Sequence, residues 1–176
     1  GHLQDIRNAL KEVDELVIGI GSSNEQHTEK NPFTVKERIE MIDLVLPNNE
    51  ISTYTLYPIP DFHDDKKWVE HIGTLVPKFD IVYTGNKWTE RCFKGKYKII
   101  RVEILKGINA TIIRNRILKN KNWQELVPKE IVDYIKKING IRRIKNGCLE
   151  EVIKEDFIIL VDFYQSKMQQ MLLKQV

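Results

Sequence analysis

LVIGIGSSNEQHTEKNPFTVKERIEMID, residues 16–43, is the stretch whose parsing decides the fold. Its first five residues, Leu16–Ile20, are an unbroken apolar run, the pattern of a parallel strand buried on both faces. The run breaks at Gly21-Ser22-Ser23 into a polar loop and restarts at Thr34 as a helix. Thr34 with Glu37 three residues on forms a capping box, and Val35, Ile39, Ile42 and Leu46 supply one apolar stripe. A buried strand that feeds a polar loop and then a fresh helix N-terminus places a ligand at the carboxyl ends of the strands. The pattern specifies a nucleotide-sized site without naming its chemistry.

The 176 residues, 41% of them apolar, suffice for one compact domain with a core. A net charge of +3 with 30% charged residues is an ordinary balance and gives no reason to expect nucleic acid. Cys92 and Cys148 lie far apart without metal-ligand spacing, so they read as free thiols of a reducing compartment. No apolar segment reaches the roughly 18 residues that span a bilayer, and no signal peptide is visible. The expectation is a cytoplasmic enzyme or binding protein.

At the start, Leu3, Ile6, Leu10 and Val13 have helical spacing, which puts His2 at a helix N-terminus. Taken alone, such a histidine reads as a frayed terminal residue, and no strand precedes it. Residues 51–59 alternate as a strand and end in Pro58-Ile59-Pro60-Asp61. Trp68, Val69, Ile72, Leu75 and Val76 mark an amphipathic helix, in which Trp68 reads as a core aromatic as readily as a stacking platform. Asp61 has a parallel reading as a turn residue. Phe79 to Asn86 is a short buried strand with a turn, where Gly85 permits close backbone approach and Asn86 offers donor and acceptor. Residues 97–104 read as the next strand. Asn109-Ala110-Thr111-Ile112-Ile113-Arg114 opens a helix whose hydroxyl, capping amide and guanidinium can converge on an anion. Finally, Pro128 starts a helix carrying Ile131, Val132, Ile135 and Ile138, with Gly140 past its end.

These segments, in collinear order, resemble the archaeal-type nicotinamide-nucleotide adenylyltransferases of the H-x-G-H nucleotidyltransferase superfamily. Gly1-His2-Leu3 is similar to the second half of that motif, and its first half lacks a counterpart here. NPFTVKERIEMI, the proline-containing strand end with Asp61, DIVYTGN at residues 80–86, and WQELVP at residues 123–128 extend the resemblance to about residue 145. The N-A-T-I-I-R run matches the superfamily's S-x-T-x-I-R signature, with Asn109 in place of the serine.

The resemblance implies an α/β fold with an open, doubly wound, mostly parallel sheet, the Rossmann-like nucleotidyltransferase fold, whose first strand is missing and would lie between strands 16–20 and 81–84. A domain over residues 1–146 is followed by an extension over 147–176. The implied activity is adenylyl transfer from ATP to nicotinamide mononucleotide, giving NAD and pyrophosphate. His2 is the implied catalytic residue. Gly1, His2, Asn109, Thr111 and Arg114 are the implied ATP contacts, and Trp68, Asp61, Gly85, Asn86 and Lys30 the implied mononucleotide contacts. Lys30 reads equally as a solvated lysine. No residue set forms a protein metal site, so Mg²⁺ is expected to arrive with ATP. Relatives assemble into homo-oligomers, and no nucleic-acid or membrane partner is implied. Two other classes stay open: a sister nucleotidyltransferase with another phosphorylated acceptor, and a non-catalytic nucleotide-binding remnant. In the extension, DFIILVD at residues 156–162 reads as an amphipathic helix or as a strand inserted in the sheet.

Overall fold

The run Leu16–Ile20 forms the predicted strand, β1, which pairs in parallel with β2 (Tyr54–Pro58) from Leu16 opposite Tyr54 to Ile20 opposite Pro58. A second parallel pair joins β3 (Ile81–Thr84) to β4 (Lys98–Arg101), with Ile81 opposite Lys98 and Thr84 opposite Arg101. The computed structural model describes residues 2–13, 15–102 and 107–147, with His2 described by its backbone only. Among the described residues no ladder joins β1 to β3, the two strands between which the sequence reading sets the fold's first strand.

The side-chain alternation of the strands shows how the two pairs share one layer. Leu16, Ile18 and Ile20 of β1, Ile81 and Tyr83 of β3, and Ile100 of β4 meet Ile6 and Ala9 of α1 (His2–Ala9) and Ile39 and Ile42 of α2 (Val35–Val45) in one cluster. The opposite faces of the same strands, through Val17, Tyr57, Val82 and Ile99, pack on Trp68, Val69 and Ile72 of α3 (Asp65–Leu75) and Phe93 of α4 (Lys87–Phe93). Strand residues two apart face one side, so both β pairs are covered by helices on both faces. This is the α/β arrangement expected, with parallel strands and helices on either side.

A third cluster lies outside that layer. Phe33 and Met41 pack with Ile117 of α5 (Ala110–Leu118), Val132, Tyr134 and Ile135 of α6 (Lys129–Lys137), and Ile144 of α7 (Gly140–Asn146). Trp123, from the WQELVP run, is buried there too.

Two local expectations are corrected. The strand read over residues 51–59 begins its ladder only at Tyr54; Ile51 is a buried anchor whose N–H donates to Leu46 O. The strand read over 97–104 spans Lys98–Arg101, and its last residues lie outside the described ones. Gly140 lies past the end of α6, as read; Asn139 takes the left-handed conformation at φ 55°, and Gly140 opens α7. The expected extension lies outside the described residues from Cys148 onward, including residues 156–162.

Candidate functional site

The carboxyl ends of β1 and β2 deliver two loops that are laced together. Ile59 N–H donates to Ile20 O at 2.8 Å, Ser23 N–H to Ile59 O at 3.1 Å, and Asp61 N–H to the Asn24 side-chain oxygen at 3.0 Å. Below this junction lies Arg38 of α2, 6% exposed, whose Nη1 donates to Gly21 O at 2.7 Å and Nη2 to Ser22 O at 3.0 Å. Burial pushes the Asp61 carboxyl up, while the bonds from Ser22 and the Arg38 charge pull it down. Burial likewise lowers Arg38, against the opposing pull of Asp61 and Glu25. Farther along the first loop, the Asn31 side chain donates to Glu25 Oε2 at 2.9 Å, and Lys30 is half-buried beside it.

At the end of β3, buried Thr84 accepts Asn86 N–H at 3.0 Å through its hydroxyl, which fixes the turn through Gly85. The Asn86 side-chain oxygen caps α4, accepting Trp88 N–H at 2.7 Å and Thr89 N–H at 3.4 Å. Its acceptor is therefore committed to the helix. Trp68 is 1% exposed, its ring 4.7 Å from that of Trp88 and 5.5 Å from that of Phe93. The indole belongs to the core of the α3–α4 face, the reading that the apolar spacing of α3 allowed.

The third element is the first turn of α5. Asn109 is its N-cap, with the side-chain oxygen accepting Ile112 N–H at 2.8 Å, and no acidic residue occupies the turn. Arg114 Nη2 donates to Thr111 Oγ1 at 3.2 Å. A helix N-terminus, a hydroxyl and a guanidinium thus converge, with no acidic residue in the turn itself, in a pattern that suits an anion. Residues 103–106, which lead from β4 into this turn, are outside the described ones.

The structure joins Thr111 to Arg114 directly, and Asp61 to the loop that follows β1. It places Gly85 and Asn86 at the end of β3 and Lys30 in the loop between β1 and α2. His2 is the first residue of α1, and Gly1 lies outside the described residues. Among the described residues no group of three or more His, Cys, Asp or Glu side chains is arranged to hold a metal. Sequence reasoning missed Arg38. The available signal was its place in α2, three and four residues before the inward-facing Met41 and Ile42.

Residues 1–127 match the cytidylyltransferase-like family. The chain is 42% identical over 150 residues to a nicotinamide-nucleotide adenylyltransferase of Thermococcus sibiricus, covering 82% of this chain and 81% of that one. It is 41% identical over 160 residues to the enzyme of the same name from Methanococcus vannielii, covering 89% and 91%. Among solved structures, a bifunctional NMN adenylyltransferase/ADP ribose pyrophosphatase from Francisella tularensis superposes with a TM-score of 0.70 at 23% identity. That likeness covers 83% of this chain and 48% of the longer protein, and it concerns the fold.

Proposed function

This chain belongs to the cytidylyltransferase-like family, alongside the archaeal nicotinamide-nucleotide adenylyltransferases, and from that premise we infer that it transfers the adenylyl group of ATP to nicotinamide mononucleotide. The observation that carries the site assignment is the first turn of α5, where Thr111 and Arg114 are joined at a helix N-terminus free of local acids.

In the reaction, a phosphate oxygen of the mononucleotide attacks the α-phosphorus of ATP. The new P–O bond forms as the bond to the bridging oxygen breaks, and pyrophosphate leaves with that electron pair, giving NAD. Such a transfer depends on alignment and on neutralising developing negative charge rather than on a covalent intermediate. Thr111 and Arg114 hold the β- and γ-phosphates, helped by the N–H groups that Asn109 leaves at the α5 terminus. His2, at the start of α1, donates to the α-phosphate oxygens, with Gly1 beside it. Asp61, Lys30, Gly85 and Asn86 line the mononucleotide side from three loops at the strand ends. Trp68 forms the wall behind the nicotinamide, and its ring meets a ligand when the Trp88 ring packed on it shifts.

Mg²⁺ is proposed to arrive with ATP, as a hard cation held mainly by phosphate oxygens. When bound, the ion supplies charge neutralisation to the triphosphate. No described helix is long and apolar enough to cross a membrane. A cytoplasmic homo-oligomer acting on small-molecule substrates is the proposal that the family resemblance supports.

The deciding experiment incubates the chain with ATP, Mg²⁺ and nicotinamide mononucleotide and measures NAD and pyrophosphate. Equimolar appearance of both is expected. ATP binding without turnover on any pyridine mononucleotide would make the chain a nucleotide-binding remnant instead.

A further inference from the structure

The loop after β1 contains an energetically costly turn with a buried charge beneath it. Ser22 has a positive φ of 45°, which side-chain-bearing residues adopt rarely and keep only where the surroundings enforce it. The two carbonyls that flank and include this turn, Gly21 O and Ser22 O, are the acceptors of Arg38 Nη1 and Nη2. The guanidinium is 6% exposed, and its Nε has no hydrogen-bond partner among the described residues, so the whole fork is spent on this turn. Two neutral carbonyls are an incomplete counterpart for a buried cation. The opposite charges that act on Arg38 through space are Asp61 and Glu25.

We propose that Arg38 is a positioning residue of the mononucleotide site: it holds Ser22 in the left-handed turn, and the loop so held, bonded to the Ile59–Asp61 segment through Ser23 and Asn24, positions Asp61. The inference rests on the assignment of Asp61 to that site. The chain of contacts is continuous. Arg38 grips the Ser22 carbonyl, the next N–H, of Ser23, donates to Ile59 O, and the Asp61 N–H is bonded back to Asn24 in the same loop, while hydrogen bonding from Ser22 favours the ionised Asp61 carboxyl. The guanidinium also supplies the positive charge that favours the ionised form of a carboxyl otherwise pushed towards neutrality by burial. A lysine cannot reproduce this, because one ammonium cannot present a planar fork to two adjacent carbonyls. The ATP-binding turn of α5 shares none of these contacts. Losing Arg38 should therefore separate the two substrates.

The test uses the full chain with Arg38→Met, Arg38→Lys, Ser22→Ala, Asp61→Asn and the Arg38→Met/Asp61→Asn double variant. Calorimetric titration with nicotinamide mononucleotide and with ATP reads the ligand side. Amide exchange at Ser23 and Asp61, whose N–H groups close the loop junction, reads the positioning side without ligand. Arg38→Met should weaken mononucleotide binding at least about tenfold and ATP binding by less than about threefold. Arg38→Lys should recover little of the loss. The double variant should lose no more than the larger single loss, because both act through one carboxylate. If Arg38→Met fails to fold, Ser22→Ala leaves the buried fork intact and must give the same split between ligands. Equal weakening of both ligands, additive losses, or unchanged exchange at Ser23 and Asp61 in Arg38→Met overturns the positioning role. A wild-type chain that exchanges as expected yet binds no mononucleotide overturns the substrate assignment on which the inference rests.

Discussion

Arg143 closes a two-pronged ion pair on Glu37, Nη1 to Oε2 at 2.8 Å and Nη2 to Oε1 at 2.7 Å, across 106 residues of sequence. Glu37 is also the N3 residue of the α2 capping box, its Oε2 accepting Thr34 N–H at 2.9 Å. The same Arg143 donates to Ile138 O and lies over the Phe33 ring. One carboxylate therefore fixes the start of the helix that follows the β1 loop and docks α7 onto it. Both side chains are mostly covered, at 18% and 26% exposed, so the pair is screened less than a surface pair.

The pH dependence of stability follows from that geometry. The bond from Arg143, against the opposing effect of burial, holds the Glu37 carboxyl down at about 2 from its ordinary 4.5. A depressed carboxyl contributes stability above the unfolded value that is lost as pH falls through the folded one. Glu37 should thus contribute about 1–3 kcal/mol at neutral pH, after discounting for solvent screening, and lose it between pH 4.5 and about 2. Urea unfolding across that window checks this. The wild-type chain should lose stability more steeply than Glu37→Gln, and equal slopes would mean that the pair contributes nothing.

Gly140 is where α6 turns into α7, and its backbone runs against the Phe33 ring. A Cβ at this position would stand 2.7 Å from Phe33 Cε1 and 3.1 Å from Ile135 O. Phe33 is buried and under Arg143, so its ring has little room to retreat. Gly140→Ala should destabilise by about 1–3 kcal/mol, the range for overpacking, although alanine is the better helix former. A midpoint in urea equal to or above wild type would show that the ring yields freely.

These two cases mark where sequence legibility ends. The apolar run of β1, the Thr34–Glu37 box and the Asn109 cap are local, because the groups that satisfy each other lie within four residues. Glu37 was readable as a capping residue, but its Arg143 partner was not, since nothing local links residues in different helices. Arg38 was read past because a charged residue on an amphipathic helix is usually solvated. Here two loop carbonyls make its burial possible. Gly140 lies past α6, as its place after the last apolar residue indicates, but the left-handed turn at Asn139 and the close packing on Phe33 that requires the glycine depend on residues distant in sequence. Of the proposed site, the Asn109-capped first turn of α5 was legible as a pattern, and the covering of Trp68 by Trp88 and Phe93 was not.

Trp68 combines a core position with a proposed ligand contact, and two substitutions separate them. Trp68→Ala removes a fully buried ring and should cost about 3–5 kcal/mol of stability. Trp68→Phe keeps most of the packing against Phe93 while reducing the stacking face. In Trp68→Phe, the KM for nicotinamide mononucleotide should rise several-fold with KM for ATP unchanged, and stability should fall far less than in the alanine variant. Unchanged KM values for both substrates would leave Trp68 a core residue alone.

His2 is proposed to bond oxygens whose charge grows only in the transition state. Removing such a donor lowers turnover more than affinity. His2→Ala should reduce kcat by roughly 10²-fold, the scale of a lost oxyanion donor, while ATP binding measured by titration stays near wild type. Near-normal turnover would return His2 to the reading of an ordinary helix-terminal residue.

Arg114 is held towards the α5 N-terminus by its 3.2 Å bond to Thr111 Oγ1, and both groups face the end where the helix dipole is positive. A triphosphate arriving there meets a donor set already assembled, so little ordering of the guanidinium remains to be done on binding. Arg114→Ala should weaken ATP binding by about 1.5–3 kcal/mol, the value of charge-assisted hydrogen bonds, and Thr111→Val should cost less because it removes one neutral donor. Arg114→Lys should recover only part of the loss, since an ammonium keeps the charge without the fork. Mononucleotide binding should be nearly unaffected in all three, because its proposed contacts come from the loops after β1, β2 and β3. Raising the salt concentration should weaken ATP binding less in Arg114→Ala than in wild type, as one cationic contact is gone. Equal losses for ATP and mononucleotide, or an unchanged salt dependence, would remove Arg114 from the triphosphate site and leave it capping the first turn of its own helix.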